Sequence, residues 1–233
     1  MKKMIKKLLP SWMLIAYRNR KVKKQKQQQA AADQVFADIY QNNHWKSAES
    51  ISGKGSEIRQ TEVLIKELSK LLKERQVRSV LDIPCGDLNW MQKVDLENID
   101  YTGADIVEEL INTNAEKYKE RTNFKFRVLN LITDPLPKCE MVIVRDCLVH
   151  LSYEEIFKAI ENLKSSGSEF LLTTTFPEHH INHDILTGKW RPLNLQDKPF
   201  NFPTPVMVIN EKCTQGGGKY KDKSMALWRI SDL

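Results

Sequence analysis

Ser79-Val-Leu-Asp-Ile-Pro-Cys-Gly-Asp-Leu-Asn-Trp90 is the stretch from which the rest of the 233-residue chain can be read. Val80, Leu81 and Ile83 make an apolar run too short for a helix and typical of a strand buried on both faces. Asp82 interrupts that run near its carboxyl end. Burying a carboxylate is costly unless it is paired or hydrogen-bonded, so Asp82 is expected where the strand surfaces into a ligand crevice. Pro84 fixes φ, and Gly86 permits a positive φ or a close backbone approach. Asp87 is placed to cap a helix opened by Leu88, Trp90 and Met91. In open α/β sheets the crevice lies outside the carboxyl ends of such strands.

C-terminal to this stretch, Tyr101-Thr-Gly-Ala-Asp105 reads as a second short strand ending in an acid, 23 residues beyond Asp82. In a nucleotide-binding βαβ unit an acid at that place accepts hydrogen bonds from a ribose diol. A helix over 107–121, a third strand over 124–129 ending at Asn130, and a fully apolar fourth strand, Met141–Val144, follow. Arg145 and Asp146 close the fourth strand, and Leu148 to Leu151 starts a helical segment. Ser152-Tyr-Glu-Glu155 is a capping box for a helix ending near Ser166. Phe170–Thr175 is a fifth strand. Strands alternating with helices at this rhythm predict an α/β fold with a doubly wound, Rossmann-like parallel sheet. Residues 176–205 break the rhythm, with His179, His180, His183, Trp190, Arg191 and five prolines. A long irregular insertion of that composition is expected to be an ordered substrate-side cap. Strands over 206–209 and 225–230, around a turn at Gly216 to Gly218, are expected to close the sheet.

N-terminal to it, residues 57–75 form an amphipathic helix with Ile58, Leu64, Ile65, Leu68, Leu71 and Leu72 as its stripe. The glycine-serine loop from Ser50 to Ser56 can cradle an anion, act as a lid, or merely connect. A short helix over 33–44 precedes it. Residues 1–29 carry ten Lys and Arg and no acid, whereas residues 30–233 carry 26 against 30 Asp and Glu, a net of −4. The basic character of the whole chain (+6) therefore belongs to the tail, and the folded part presents no nucleic-acid-binding composition. Met1, Met4, Ile5, Leu8, Trp12 and Ile15 recur at helical spacing among lysines. The apolar run from Leu8 to Tyr17 is about half the ~20 residues a spanning helix requires, and no small-residue cleavage site follows it. Residues 1–26 read as an interfacial amphipathic helix lying on an anionic membrane surface. The chain thus divides into a tail and linker, 1–32, and a folded domain, 33–233. Cys85, Cys139, Cys147 and Cys213 are isolated in sequence, which fits reduced thiols in the cytoplasm and no metal site. With the tail, the expected location is the inner face of the membrane.

Across residues 33–233 these motifs resemble the class I S-adenosylmethionine (SAM)-dependent methyltransferases. The residues that carry the resemblance are Leu81-Asp-Ile-Pro-Cys-Gly-Asp87, Tyr101-Thr-Gly-Ala-Asp-Ile-Val107 and Arg145-Asp-Cys-Leu-Val-His-Leu-Ser152. The chain is similar to a bacterial subgroup that also has the Trp45-to-Ser56 segment and Trp190-Arg-Pro-Leu-Asn-Leu195. Its members tend to sit among surface-polysaccharide genes. The resemblance implies a seven-stranded, mostly parallel sheet with an antiparallel last pair, and SAM as cofactor. It also implies a cofactor site built from Asp82, Pro84, Cys85, Gly86, Asp87, Asp105, Ile106, Asn130, Leu131 and Arg145. Two features depart from the usual pattern: Pro84, Gly86 and Leu88 stand where three alternate glycines are common, and Asn130 stands where an acid often meets adenine. An amide can still accept and donate there.

A nicotinamide-dependent oxidoreductase is the alternative enzyme. Its G-x-G-x-x-G turn lets pyrophosphate approach a helix N-terminus, but here one glycine remains and Asp87 would repel a phosphate. SAM has no phosphate, and its positive groups tolerate carboxylates. A non-catalytic partner subunit of the same fold at the membrane is a third reading, against which stand the intact acids at both strand ends. For methyl transfer to a hydroxyl, His150 is the candidate base, with Asp146 one turn before it to orient the imidazole. His179, Trp190 and Arg191 are candidate substrate contacts. Arg145 and Arg191 suit an acidic acceptor such as a phosphate or uronate, and Trp190 suits stacking on a sugar ring. The acceptor stays open between hydroxyl, phosphate and amine, on a small, glycan-linked or lipid-linked molecule.

Overall fold

The computed structural model describes Met13 and residues 31–233. The basic tail, Met13 apart, lies outside the described residues. Seven strands form one sheet: β1 (Ser79–Asp82), β2 (Asp100–Asp105), β3 (Phe124–Val128), β4 (Met141–Val144), β5 (Phe170–Thr175), β6 (Met207–Asn210) and β7 (Ser224–Arg229). Their spatial order is β3-β2-β1-β4-β5-β7-β6. The first five run parallel, and β7 runs antiparallel to both β5 and β6. The α-helices within residues 31–233 are α1 (Ala32–Gln41), α2 (Ile58–Glu74), α3 (Glu108–Lys117) and α4 (Tyr153–Ser165). Among the described residues no helix is long and apolar enough to cross a membrane.

Strand alternation splits the core into two layers. Val80, Met141, Ile143, Leu172 and Leu227 face one side, where Leu64, Leu68, Leu71 and Leu72 of α2 cover them. Leu81, Val142, Val144, Leu171 and Ala226 face the other, beneath Ile156, Ala159, Ile160 and Leu163 of α4. The apolar stripe of α2 and the all-apolar β4 are thus two consequences of one sandwich. The α4 capping box is complete: the Ser152 hydroxyl accepts from the Glu155 N–H (3.4 Å), and the Glu155 carboxylate accepts from the Ser152 N–H (3.0 Å).

Several expected elements are shorter than their periodicity suggested. α1 stops at Gln41, where Asn42 leaves the helical region and Asn43 turns to φ 42°. α3 ends at Lys117, and Leu148–His150 is a single 3-10 turn. The largest departure follows β1. No α-helix starts at Leu88; only a 3-10 turn, Met91–Lys93, is present. Leu88 sits at φ 55°, outside the helical region. The Asp87 carboxylate meets no helix N-terminus of its own: apart from a local bond from the Asn89 N–H it is recruited by another segment. The Ser50 hydroxyl (2.9 Å), the Ile51 N–H (3.0 Å) and the Ser52 hydroxyl (3.2 Å) all donate to it.

Candidate active site

The carboxyl ends of β1, β2 and β4 open into a cavity of about 830 Å³. That lies within the roughly 300–1,000 Å³ usual for small-molecule sites. It sits where the chain leaves β1 between its two neighbours β2 and β4, the switch point at which such sheets bind ligands. Asp82, Pro84, Cys85, Gly86, Asp87, Asp105, Ile106, Asn130 and Leu131 all line it, as do Arg145, Asp146, His150 and Trp190.

Two buried carboxylates dominate the half under β1 and β2. Asp82 is 2% exposed and accepts a 2.7 Å hydrogen bond from the Tyr101 hydroxyl; burial pushes its carboxyl up to about 7. Asp105 accepts from the Gly86 N–H (3.2 Å) and the Val107 N–H (3.1 Å), and burial pushes it up to about 6. A carboxylate has about four acceptor sites, so both retain capacity for a ligand. Between them Gly86 adopts φ 57°, and a β-carbon there would run into the Ser52 hydroxyl, so this position requires glycine. The Asn114 side chain donates to the Gly86 carbonyl (2.7 Å) and holds the turn against α3. The Asn130 amide oxygen accepts from the Ile132 N–H (2.8 Å), leaving the amide NH₂ and a second lone pair on that oxygen. Buried carboxylates on a bare backbone turn fit a group carrying hydroxyls and positive charge, as SAM does. They do not fit a pyrophosphate.

The other half is built from the ends of β4 and β5 and from the β6–β7 connection. Nδ1 of His150 lies 3.0 Å from the Lys189 carbonyl oxygen. A carbonyl can only accept, so neutral His150 carries its proton on Nδ1 and keeps its lone pair on Nε2. Burial lowers its pKa to about 4, which keeps the ring neutral at ordinary pH. Trp45 packs on it with ring centroids 5.4 Å apart. Asp146 does not orient this ring as expected. It is off any helix, at φ 51°, and its carboxylate is held by Lys223 (2.6 Å) and Arg145 (3.4 Å). Burial would raise the Asp146 carboxyl, but Lys223 and Arg145 outweigh that and hold it well below the usual range.

Arg145 is committed elsewhere than to a ligand's charge. It pairs with buried Glu211 (2.6 Å), donates to the Gly55 carbonyl (2.9 Å) and lies over the Trp90 ring. Arg191 is likewise not a substrate contact: it is 1% exposed and donates to the carbonyls of His183, Leu148, Val149 and Leu151. It is a clamp that ties the insertion to the turn carrying His150. His179 does not line the cavity. Trp190 does, 41% exposed, meeting Tyr220 at 4.8 Å and Phe176 at 6.0 Å, both edge to face. Phe36, Tyr40, Trp45, Tyr220 and Lys223 also line the cavity and were not picked out from sequence. Glu211, which fixes Arg145 and lies 3.4 Å from Lys223, was missed too, because a partner 66 residues from Arg145 leaves no local spacing signal. Among the described residues all four cysteines are free, and no cluster of potential metal ligands occurs.

No protein-family model matches the chain, and no curated protein does. Solved structures do. The magnesium protoporphyrin IX methyltransferase ChlM of Synechocystis PCC 6803, determined with bound SAM, matches 87% of this chain and 98% of its own. The TM-score is 0.60 and the identity 14%. The N-methyltransferase NodS of Bradyrhizobium japonicum WM9 matches 73% of this chain and 93% of its own, with TM-score 0.50 and 17% identity. An O-methyltransferase family protein from Burkholderia thailandensis matches 54% of this chain, which spans only 40% of that protein, at TM-score 0.43 and 18% identity. The fold is the Rossmann-like methyltransferase fold. Its seven strands, with the antiparallel last pair, meet the expectation drawn from the motifs.

Proposed function

We propose that the chain is a SAM-dependent methyltransferase acting on a hydroxyl of a small, glycan-linked or lipid-linked acceptor. The observation that carries this reading is the pair of buried carboxylates, Asp82 and Asp105, on adjacent strand ends of a cavity whose other half holds neutral His150. The solved ChlM structure with SAM, on the same fold, supports the choice of cofactor. Bound there, SAM supplies a methyl group on a positive sulfonium that departs as a neutral thioether. Asp105 would accept hydrogen bonds from the ribose hydroxyls, Asp82 would offer negative charge to the cationic end, and Asn130 would serve the adenine edge. His150 takes the acceptor's proton on Nε2 and passes it to solvent, a contribution of about two to four decades in rate. Holding the acceptor in line supplies much of the remainder, an effect of up to roughly 7–11 kcal/mol. The resemblance to the polysaccharide-associated subgroup favours a surface-glycan precursor as acceptor, with the basic tail on the cytoplasmic face of the membrane.

Calorimetry with SAM, S-adenosylhomocysteine (SAH) and NAD tests this. SAM and SAH are expected to bind and NAD not. Tight NAD binding without SAM binding would return the chain to the oxidoreductases. Binding without turnover on any hydroxyl, amine or phosphate acceptor would favour a non-catalytic subunit.

A further inference from the structure

We propose that the acceptor is a ring-bearing anion, docked by the ammonium groups of Lys54 and Lys189 with its ring against Trp190 and Tyr220; this rests on the methyl-transfer reading above. The anion-binding role expected of Arg145 and Arg191 is empty, since both guanidinium groups are consumed by the protein itself. Over the whole lining four acids face four Lys and Arg, but in the acceptor half Asp146 and Glu211 answer Arg145 and Lys223 and leave Lys54 and Lys189 over. Of the carboxylates lining the cavity, Asp146 is paired with Lys223, whereas Asp82, Asp105 and Asp87 are hydrogen-bonded by neutral donors and belong to the cofactor half. Lys223 is spent on Asp146 and Glu211. Lys54 and Lys189 line the same cavity, are exposed, and enter no ion pair among the described residues. An anion entering the acceptor half meets two cations that pair with no acid among the described residues, while the acids without a cationic partner lie on the cofactor side.

The placement of these lysines links charge recognition to the chemistry. The Lys189 carbonyl sets the tautomer of His150, and Trp190 is the next residue, so the short piece of chain that carries cation and ring wall also holds the base. Lys54 precedes Gly55, whose carbonyl accepts from Arg145 and whose α-carbon faces Asp146. Trp190, Tyr220 and Phe176 form an edge-to-face cluster rather than a flat stack, leaving ring surface for a ligand's apolar face. A neutral acceptor would use the rings alone.

The test is calorimetric titration of the SAH-saturated full chain with two matched pairs: glucuronate against glucose, and para-hydroxybenzoate against para-hydroxybenzamide. At least one anion is expected to bind about five- to thirtyfold more tightly than its neutral partner, the range that two partly exposed charge pairs allow. The pair that shows the preference tells a sugar acid from an aromatic acid. The double variant Lys54→Met/Lys189→Met, at two exposed positions, is expected to erase the preference and leave SAH affinity unchanged. Trp190→Ala should weaken both members of the pair alike. Neutral partners binding as well as anions, no anion binding, or a preference that survives the double variant would each overturn the proposal while leaving the cofactor reading intact. Failure of SAH itself to bind would overturn both.

Discussion

His150 and Lys189 are 39 residues apart, yet the imidazole Nδ1 lies 3.0 Å from the Lys189 carbonyl oxygen. The contact removes one of the two neutral tautomers and leaves Nε2 as the basic atom. His150→Ala should therefore bind SAH nearly as the parent does while losing about two to four decades of turnover. Asp105→Ala should do the reverse and lose roughly one to two decades of SAM affinity, as expected for about 1.5–3 kcal/mol of charge-assisted hydrogen bonds. Equal losses of affinity in the two variants would make His150 a cofactor-binding residue instead.

The pH dependence separates the same two halves. Burial holds His150 at about 4, so it stays neutral down to mildly acid pH. Burial holds Asp82 at about 7 and Asp105 at about 6, so they gain protons first. SAM affinity, measured by calorimetry from pH 8 down to 5.5, should fall as those carboxylates are neutralised. Turnover at saturating SAM should change far less over that interval. A turnover profile governed by a group titrating at neutral pH would contradict this.

Asp82 also bears on stability. Its carboxyl is raised in the folded protein above the ordinary unfolded value, so the folded state binds more protons than the unfolded chain between about pH 4 and 7. Its contribution to stability is full below that window and is lost as pH rises through it. Asp82→Asn keeps an acceptor for the Tyr101 hydroxyl and removes the buried charge. Without ligand the variant should be stabilised, by about 1–3 kcal/mol more at pH 8 than at pH 5 in urea melts. It should also bind SAM more weakly.

Glu211 is 3% exposed and neutralises Arg145 and Lys223 together. Glu211→Ala leaves a buried cation short of its partner, which typically costs about 3–5 kcal/mol. At roughly 2–4 °C per kcal/mol for a domain of this size, the thermal midpoint should drop by about 6–20 °C. A change below 2 kcal/mol (~half the usual cost) would show that Asp146 alone suffices.

Deleting residues 1–26 should leave SAM affinity intact and abolish sedimentation with phosphatidylserine-containing vesicles, because all ten basic residues of the first 29 are removed. Equal sedimentation of both forms would discard the membrane role.

The sheet and the cofactor half of the site were legible because they rest on short-range patterns. Asp82 and Asp105 each close a short strand, Gly86 follows a proline turn, and Ser152 with Glu155 forms a capping box within four residues. What was misread depended on partners distant in sequence. Asp87 looked like a helix cap because nothing local reveals that Ser50 and Ser52 claim its carboxylate. Asp146 looked like a histidine partner because Lys223, 77 residues away, is invisible to helical spacing. Arg191 beside Trp190 looked like a ligand contact, although four backbone carbonyls take its guanidinium.

The strand order has a corollary for engineering. Residues that floor the cofactor half, Asp82 to Ile132, form one continuous block of chain, and those walling the opposite half, Arg145 to Lys223, form another. Among the described residues, α1 and the loop from Trp45 to Ser56 complete the lining. The junction between the blocks is the irregular stretch separating β3 from β4. A crossover there would transplant the acceptor wall of one such protein onto the cofactor floor of another. The seam would break no helix, and the interactions to be rebuilt across it include the packing of α2 on β4, β5 and β7, the pairing of β4 with β1, the bonds between Gln60 and Thr214, and the bond from Arg145 to the Gly55 carbonyl.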